Sequence, residues 1–167
     1  MIEITFPEAA VLKNVISSLK ELVTKITMDI DDKGMHVQAM DSANVALVSL
    51  EIDDLDTFDN YRCDKNVTIG LDLEIFDKIL KLAANQEKLT LELADDEPAE
   101  ISIVIEHLKG ARTTSRYGMS LLDLEVETLG VPEMDYSWVG RLKSSEYNKF
   151  ENKILIDHKK LFVQINF

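Results

Sequence analysis

Cysteine occurs once, at Cys63. That excludes an internal disulfide framework and fits a reducing compartment. No apolar run approaches the roughly 18 residues of a membrane span, and the first residues lack the pattern of a secretion signal. The expectation is a soluble chain of the cytosol or nucleus with no membrane partner, so the Asn66-Val67-Thr68 glycosylation sequon is read as coincidence. Histidine occurs only as His36, His107 and His158, without HExxH or paired-cysteine spacing, and there is no glycine-rich phosphate loop. No nucleophile or metal constellation emerges. The expectation is a protein that is not an enzyme and takes no cofactor and no metal. Positive charge is also scarce: 18 Lys and Arg face 31 Asp and Glu, for a net charge of −13. The last 17 residues hold three lysines and two acids, so residues 1–150 carry −14. An overall field of that sign does not attract nucleic acid, and any DNA contact needs a local basic face.

What the 167 residues do contain is an internal repeat. Residues 7–22 carry Val11, Leu12, Val15, Ile16, Leu19 and Leu22 at helical spacing, with Pro7 placed for a first turn. Alternating segments follow. Ile26, Met28 and Ile30 share one face, Asp31-Asp32-Lys33-Gly34 supplies a turn, then Met35, Val37 and Ala39 alternate, and Ala46, Val48, Leu50 and Ile52 after them. The same order recurs. Residues 72–83 read as a helix with Ile75, Phe76, Ile79, Leu80 and Ala83 on one side. Strand patterns follow at Leu89, Leu91 and Leu93, at Ile101, Ile103 and Ile105, and over 113–121. The two helices start about 64 residues apart. Two helix-plus-hairpin units predict an α+β fold: two helices packed on an antiparallel sheet, with pseudo-twofold symmetry.

Residues 123–136 break the alternation with Gly130, Pro132 and many acids, and read as an extended linker. Residues 136–142 fit a new strand and 144–150 a new helix, capped by Ser144 or Ser145. From Tyr136 only 32 residues remain, short of the roughly 50 that an independent domain needs.

Three surfaces are candidates. The first is basic. Lys13 and Lys20 are seven apart, about 20° around a helix, with Ser17 between them, and Lys78 and Lys81 are three apart on the second helix. Four such lysines suit a loose grip on a phosphate backbone that reads no bases. Glu74 and Asp77 lie near the second pair, and Glu74 is spaced to pair with Lys78. The second is apolar: Met40, Val45 and Leu47 flank a loop, while Leu129, Val131 and Pro132 sit in the linker. By periodicity alone these read as core or linker residues. The third is the strand over 113–121, with Ser115, Tyr117, Met119 and Leu121. Cys63 reads as a buried structural thiol.

The run from Met40 to Val48 (Met-Asp-Ser-Ala-Asn-Val-Ala-Leu-Val) and the run from Tyr61 to Asn66 (Tyr-Arg-Cys-Asp-Lys-Asn) resemble the eukaryotic sliding clamps, the proliferating cell nuclear antigen family. The stretch from Glu127 to Glu133 (Glu-Thr-Leu-Gly-Val-Pro-Glu) is similar to that family's interdomain connecting loop. The resemblance covers residues 1–150. It implies a clamp N-terminal domain over 1–122, a connecting loop over 123–135, the start of a second clamp domain over 136–150, and a divergent tail over 151–167.

The resemblance implies a nuclear processivity factor: a ring that encircles double-stranded DNA loosely, without regard to sequence, and tethers replication and repair proteins. Lys13, Lys20, Lys78 and Lys81 match the family's DNA-facing lysines, whereas Asn14 stands where relatives usually carry another lysine. Met40, Asn44, Val45, Leu47, Leu129, Val131, Pro132 and Tyr136 match the pocket for the interacting peptide of polymerases, nucleases, ligase and clamp loader. Ser115, Tyr117, Met119 and Leu121 match the edge that joins subunits, which implies self-association. The rest of that pocket comes, in the family, from a second domain and a C-terminal tail, so weakened peptide binding is expected.

The tail has two readings. Twelve of its 17 residues are Lys, Ile, Leu, Phe or Asn, as a frame change or unspliced intron in AT-rich DNA would give. Alternatively, Leu161 to Phe167 is a strand that pairs with an exposed edge. Three roles follow: a ring subunit, with six one-domain copies replacing three two-domain ones; a clamp-derived binding module that does not encircle DNA; or a truncated product.

Overall fold

The structure, a computed structural model, describes residues 1–41, 47–53, 55–94, 99–108 and 113–124. Among these, the order is β1 (Ile2–Phe6), α1 (Ala9–Leu19), β2 (Lys25–Ile30), β3 (Met35–Met40), β4 (Leu47–Ile52), β5 (Asn60–Cys63), β6 (Val67–Asp72), α2 (Leu73–Leu80), β7 (Lys88–Leu93), β8 (Glu100–His107) and β9 (Thr113–Ser120). One 3-10 turn, Leu55–Thr57, precedes β5. The expected α+β architecture is present, with two antiparallel sheets rather than one.

One sheet has the order β5-β1-β7-β8-β9 and the other β4-β3-β2-β6. The repeat explains the orders. Within each unit the hairpin strands follow the helix, as β2-β3-β4 and as β7-β8-β9. The strand that precedes each helix crosses to the other unit's sheet: β1 pairs with β7, Ile4 opposite Leu91, and β6 pairs with β2, Met28 opposite Ile69. The segment after each hairpin then closes on the exchanged strand. β5 pairs with β1, and Leu122 bridges to Gly70 of β6.

Neither β1, β5 nor β6 stands out in the sequence. In β6 the reason is physical. Ile69, Gly70 and Leu71 are all buried, so alternation is lost: Leu122 bridges the edge of β6 at Gly70, and the Leu124 side chain lies where a Gly70 side chain would be. A Cβ on Gly70 would lie 2.2 Å from the Leu122 carbonyl oxygen, so the bridge requires glycine there. Gly34 is under a similar constraint in the β2–β3 turn: at φ +156° it leaves no room for a Cβ, which would meet the Ile52 carbonyl oxygen at 2.0 Å.

Both helices are shorter than expected. Pro7 precedes α1 instead of occupying its first turn, and Asp72 is the cap of α2, not its first residue. Two predicted core residues are exposed, Leu22 beyond the end of α1 and Ile75 on the outer side of α2, the latter 48% accessible. Leu73 takes the buried position instead, in line with Phe76 and Leu80. One contiguous core joins Leu12 and Ile16 of α1, Phe76 and Leu80 of α2, and the inward residues of both sheets. Thr5 and Thr90, directly opposite on β1 and β7 and on the sheet face that alternates with the core residues, are buried and satisfy each other at 3.0 Å. Tyr61 ties the sheets together. Its ring packs on Phe58, and its hydroxyl lies 2.6 Å from the Asp31 and Gly34 carbonyl oxygens of the β2–β3 turn. Cys63 is half-buried, not fully buried, and that burial pushes its thiol up.

Candidate functional site

The two helices lie side by side and antiparallel. Each starts where the other ends. The Ala9 and Ala10 N–H groups donate to the carbonyls of Glu87 (2.8 Å) and Asn85 (3.0 Å), beyond the end of α2, and Leu73 N–H donates to Thr24 (2.9 Å), beyond the end of α1. These bonds satisfy amide groups that a helix start leaves unpaired.

The seam between the helices holds three of the four candidate lysines. Lys13 Nζ donates to the Ala83 carbonyl (2.8 Å) and to Asn85 Oδ1 (3.0 Å), at the negative end of α2. Lys20 and Lys81 both donate to the same oxygen, Asp77 Oδ2, at 2.5 and 2.7 Å, and Ser17 donates to Oδ1 at 2.9 Å. Lys78 stands apart, 74% exposed, with Glu74 4.0 Å away. An exposed pair of that length contributes little. The structure thus gathers Lys20 and Lys81 on one carboxylate, puts Lys13 at the other end of the seam and leaves Lys78 outward.

Asp77 is the residue that sequence reasoning misplaces. Spacing puts it near the lysine face, yet its side chain is only 6% exposed. Burial pushes its carboxyl up, but the hydrogen bonds from Lys20, Lys81 and Ser17 outweigh this and hold it down at about 2. The Asp77 hydrogen bond in turn raises Lys20. A signal is present in the sequence: Asp77 is one residue past Phe76 and three before Leu80, so it falls on the buried stripe of α2, facing Ser17 and Lys20 at i and i+3 of α1.

Of the apolar candidates, Met40 and Leu47 are opposite each other at the ends of β3 and β4. Met40 is 39% exposed and Leu47 half-buried. Asn44, Val45, Leu129, Val131, Pro132 and Tyr136 lie outside the described residues.

β9 is the outer strand of its sheet, paired with β8 on one side and with no other strand among the described residues. Its candidate side chains face inward. Ser115, Tyr117 and Met119 stand opposite Ile105, Ile103 and Ile101, on the core side, and Met119 is buried. What β9 offers along its open edge is backbone, flanked by Thr114, Arg116 and Ser120 on the exposed face. Arg116 is anchored there by Glu92. Sequence reasoning also misses a polar chain at the base of β9. Buried Glu87 accepts from Ala84 N–H (2.8 Å), His107 Nδ1 lies 3.2 Å from Glu87, and His107 Nε2 lies 2.8 Å from Ser115 Oγ. The Ala84 hydrogen bond holds Glu87 below the usual carboxylate range against its burial. Among the described residues no group of His, Cys, Asp or Glu is arranged to hold a metal.

A family model described as "Proliferating cell nuclear antigen, N-terminal domain" matches residues 1–128. A proliferating cell nuclear antigen of Chaetomium thermophilum is 33% identical over 166 residues, which is 99% of this chain and 63% of that relative. The chain therefore spans less than two thirds of the relative's length, and the aligned stretch takes in residues beyond Phe150. With its paired helices on exchanged antiparallel sheets and a family match over its first 128 residues, the chain belongs to the proliferating cell nuclear antigen family.

Proposed function

We propose that this chain is a subunit, or a fragment of a subunit, of a DNA sliding clamp that acts in the nucleus and performs no chemistry of its own. The observation that carries this reading is the antiparallel helix pair with Lys13, Lys20, Lys78 and Lys81 along it, in a chain of the clamp family. Such a face suits double-stranded DNA passing through a ring: it touches phosphates without reading bases and holds none of them tightly. The partly exposed end of β3 and β4, Met40 and Leu47, suits one wall of a groove for a peptide with apolar anchors, as presented by polymerases, nucleases, ligase and clamp loader. Asn44, Val45, Leu129, Val131, Pro132 and Tyr136 complete that wall in this reading, with 123–135 as the connecting loop and 136–150 as the start of a second domain. The open backbone edge of β9 is the surface for a neighbouring subunit. Tethering raises the partners' effective concentration at the template, so closure of the ring matters more than affinity for DNA.

A second reading is favoured by the pairing of Lys20 and Lys81 with Asp77: a clamp-derived module that binds partners without encircling DNA. Light scattering over a concentration series separates the two. A discrete closed assembly, combined with loss of loading onto circular DNA in the Lys13→Ala, Lys20→Ala double variant, is the outcome expected of a ring. A monomer that still captures partner peptide, unaffected by that double substitution, would establish the module instead.

A further inference from the structure

The geometry points to Asp77 as a built-in brake on the DNA-facing charge: its carboxylate occupies the anion position between Lys20 and Lys81 that a DNA phosphate would otherwise take. This rests on the proposed role of the helix pair as a face for duplex DNA.

A phosphate and a carboxylate seek the same donors. Asp77 Oδ2 accepts from both ammonium groups, at 2.5 and 2.7 Å, and Ser17 fixes the other oxygen, so the acid is held at both oxygens. The lysines are not sealed in with it. Lys81 is 56% exposed and Lys20 23%, so both can reach outward if the carboxylate loses its charge. With Asp77 in place the trio sums to +1, not +2, and Lys78 is offset by Glu74. Bringing a phosphate to Lys20 therefore means dividing its ammonium between two anions or pulling it off a buried carboxylate. Either weakens the phosphate's hold. The seam also shows that a carboxylate is not demanded by the fold at this kind of position. At the other end of the same helix pair, Lys13 closes the gap with carbonyl and amide oxygens and leaves its charge unneutralised.

The test is duplex binding by fluorescence anisotropy, for the full chain and three variants, across a salt series. Asp77→Asn keeps the size and removes the charge; Asp77→Ser is a smaller neutral alternative should the amide disturb the seam. Asp77→Glu keeps the charge. The inference expects the slope of log affinity against log salt to steepen by about 0.9 for one freed lysine and about 1.8 for two in the neutral variants. Between 50 and 200 mM salt the neutral variants should lose about threefold more affinity than the parent for each lysine released to a phosphate. Asp77→Glu should keep the parent slope. If parent and neutral variants bind DNA with one common slope, the brake is overturned while the DNA-facing role stands. If the glutamate variant steepens as much as the neutral ones, loosened packing and not charge is the cause, and the brake is again overturned. If none of the four binds duplex even at low salt, the DNA-facing role itself fails and the brake with it.

Discussion

The two repeats are built alike, yet they close their shared seam with opposite charges. Leu12 of α1 and Phe76 of α2 occupy matching buried positions 64 residues apart, and the residues that follow them are Lys13 and Asp77. Each reaches across to the far end of the other helix. Lys13 finds neutral oxygens at the end of α2, whereas Asp77 finds Ser17 and Lys20 toward the end of α1. The helix starts differ as well. α2 has a side-chain cap, Asp72, which accepts from the Glu74 and Ile75 N–H groups (3.0 and 3.1 Å), while Glu8 before α1 makes no such bond and α1 relies on carbonyls from the other repeat. A duplicated scaffold therefore fixes where a polar group must sit and leaves its sign open.

The comparison breaks most visibly in the core. Phe76→Ala should cost about 3–5 kcal/mol and Leu12→Ala about 2–5. Because both helices share one core, each should lower a single transition in denaturant unfolding; two separate transitions would mean that the repeats are independent. Acid comes next. The Asp77 carboxyl is held at about 2 from an ordinary 3.8, so its stabilising contribution is complete above roughly pH 4. It is lost as the pH falls toward 2, a change of about 2 kcal/mol. Denaturant midpoints between pH 5 and 2 should therefore fall less steeply for Asp77→Asn than for the parent, and Lys13→Met should leave the parent's acid profile in place. Equal profiles for Asp77→Asn and parent would remove Asp77 from the account. The smallest effect is at the caps. Asp72→Ala should destabilise by about 1 kcal/mol and Glu8→Ala by only a few tenths. Equal costs by thermal melting would show that the two helix starts are not held differently after all.

The sequence is legible where one face of an element meets the core and the other meets water. The α1 stripe and the alternation of β2, β3, β7 and β8 show this directly, and the 64-residue offset between the helices follows from them. It is not legible where a later segment closes on a strand, as at Gly70 with Leu122 beside it and Leu124 against it, or where an element is as short as β5, with four residues. Nor does a linear pattern show that each unit's leading strand leaves for the other's sheet, which is why it predicts one sheet where two are present. At the site, the lysines can be named from spacing, but Asp77, Glu87 and His107 each depend on at least one partner 20 to 60 positions away.

The strand exchange has a consequence for how the domain comes apart. Excising the first repeat would remove β1 from the β7 side of one sheet, and excising the second would remove β6 from beside β2. Neither piece retains a complete sheet, so the repeats are interlocked rather than stacked. Pairing β1 with β7 also joins positions 83 to 91 residues apart, from Phe6 opposite Leu89 to Ile2 opposite Leu93. Chains dominated by such distant pairings fold slowly compared with local ones. By the same logic a break in the backbone between β5 and β6 would leave two pieces still clasped by two strands, each piece completing the sheet of the other.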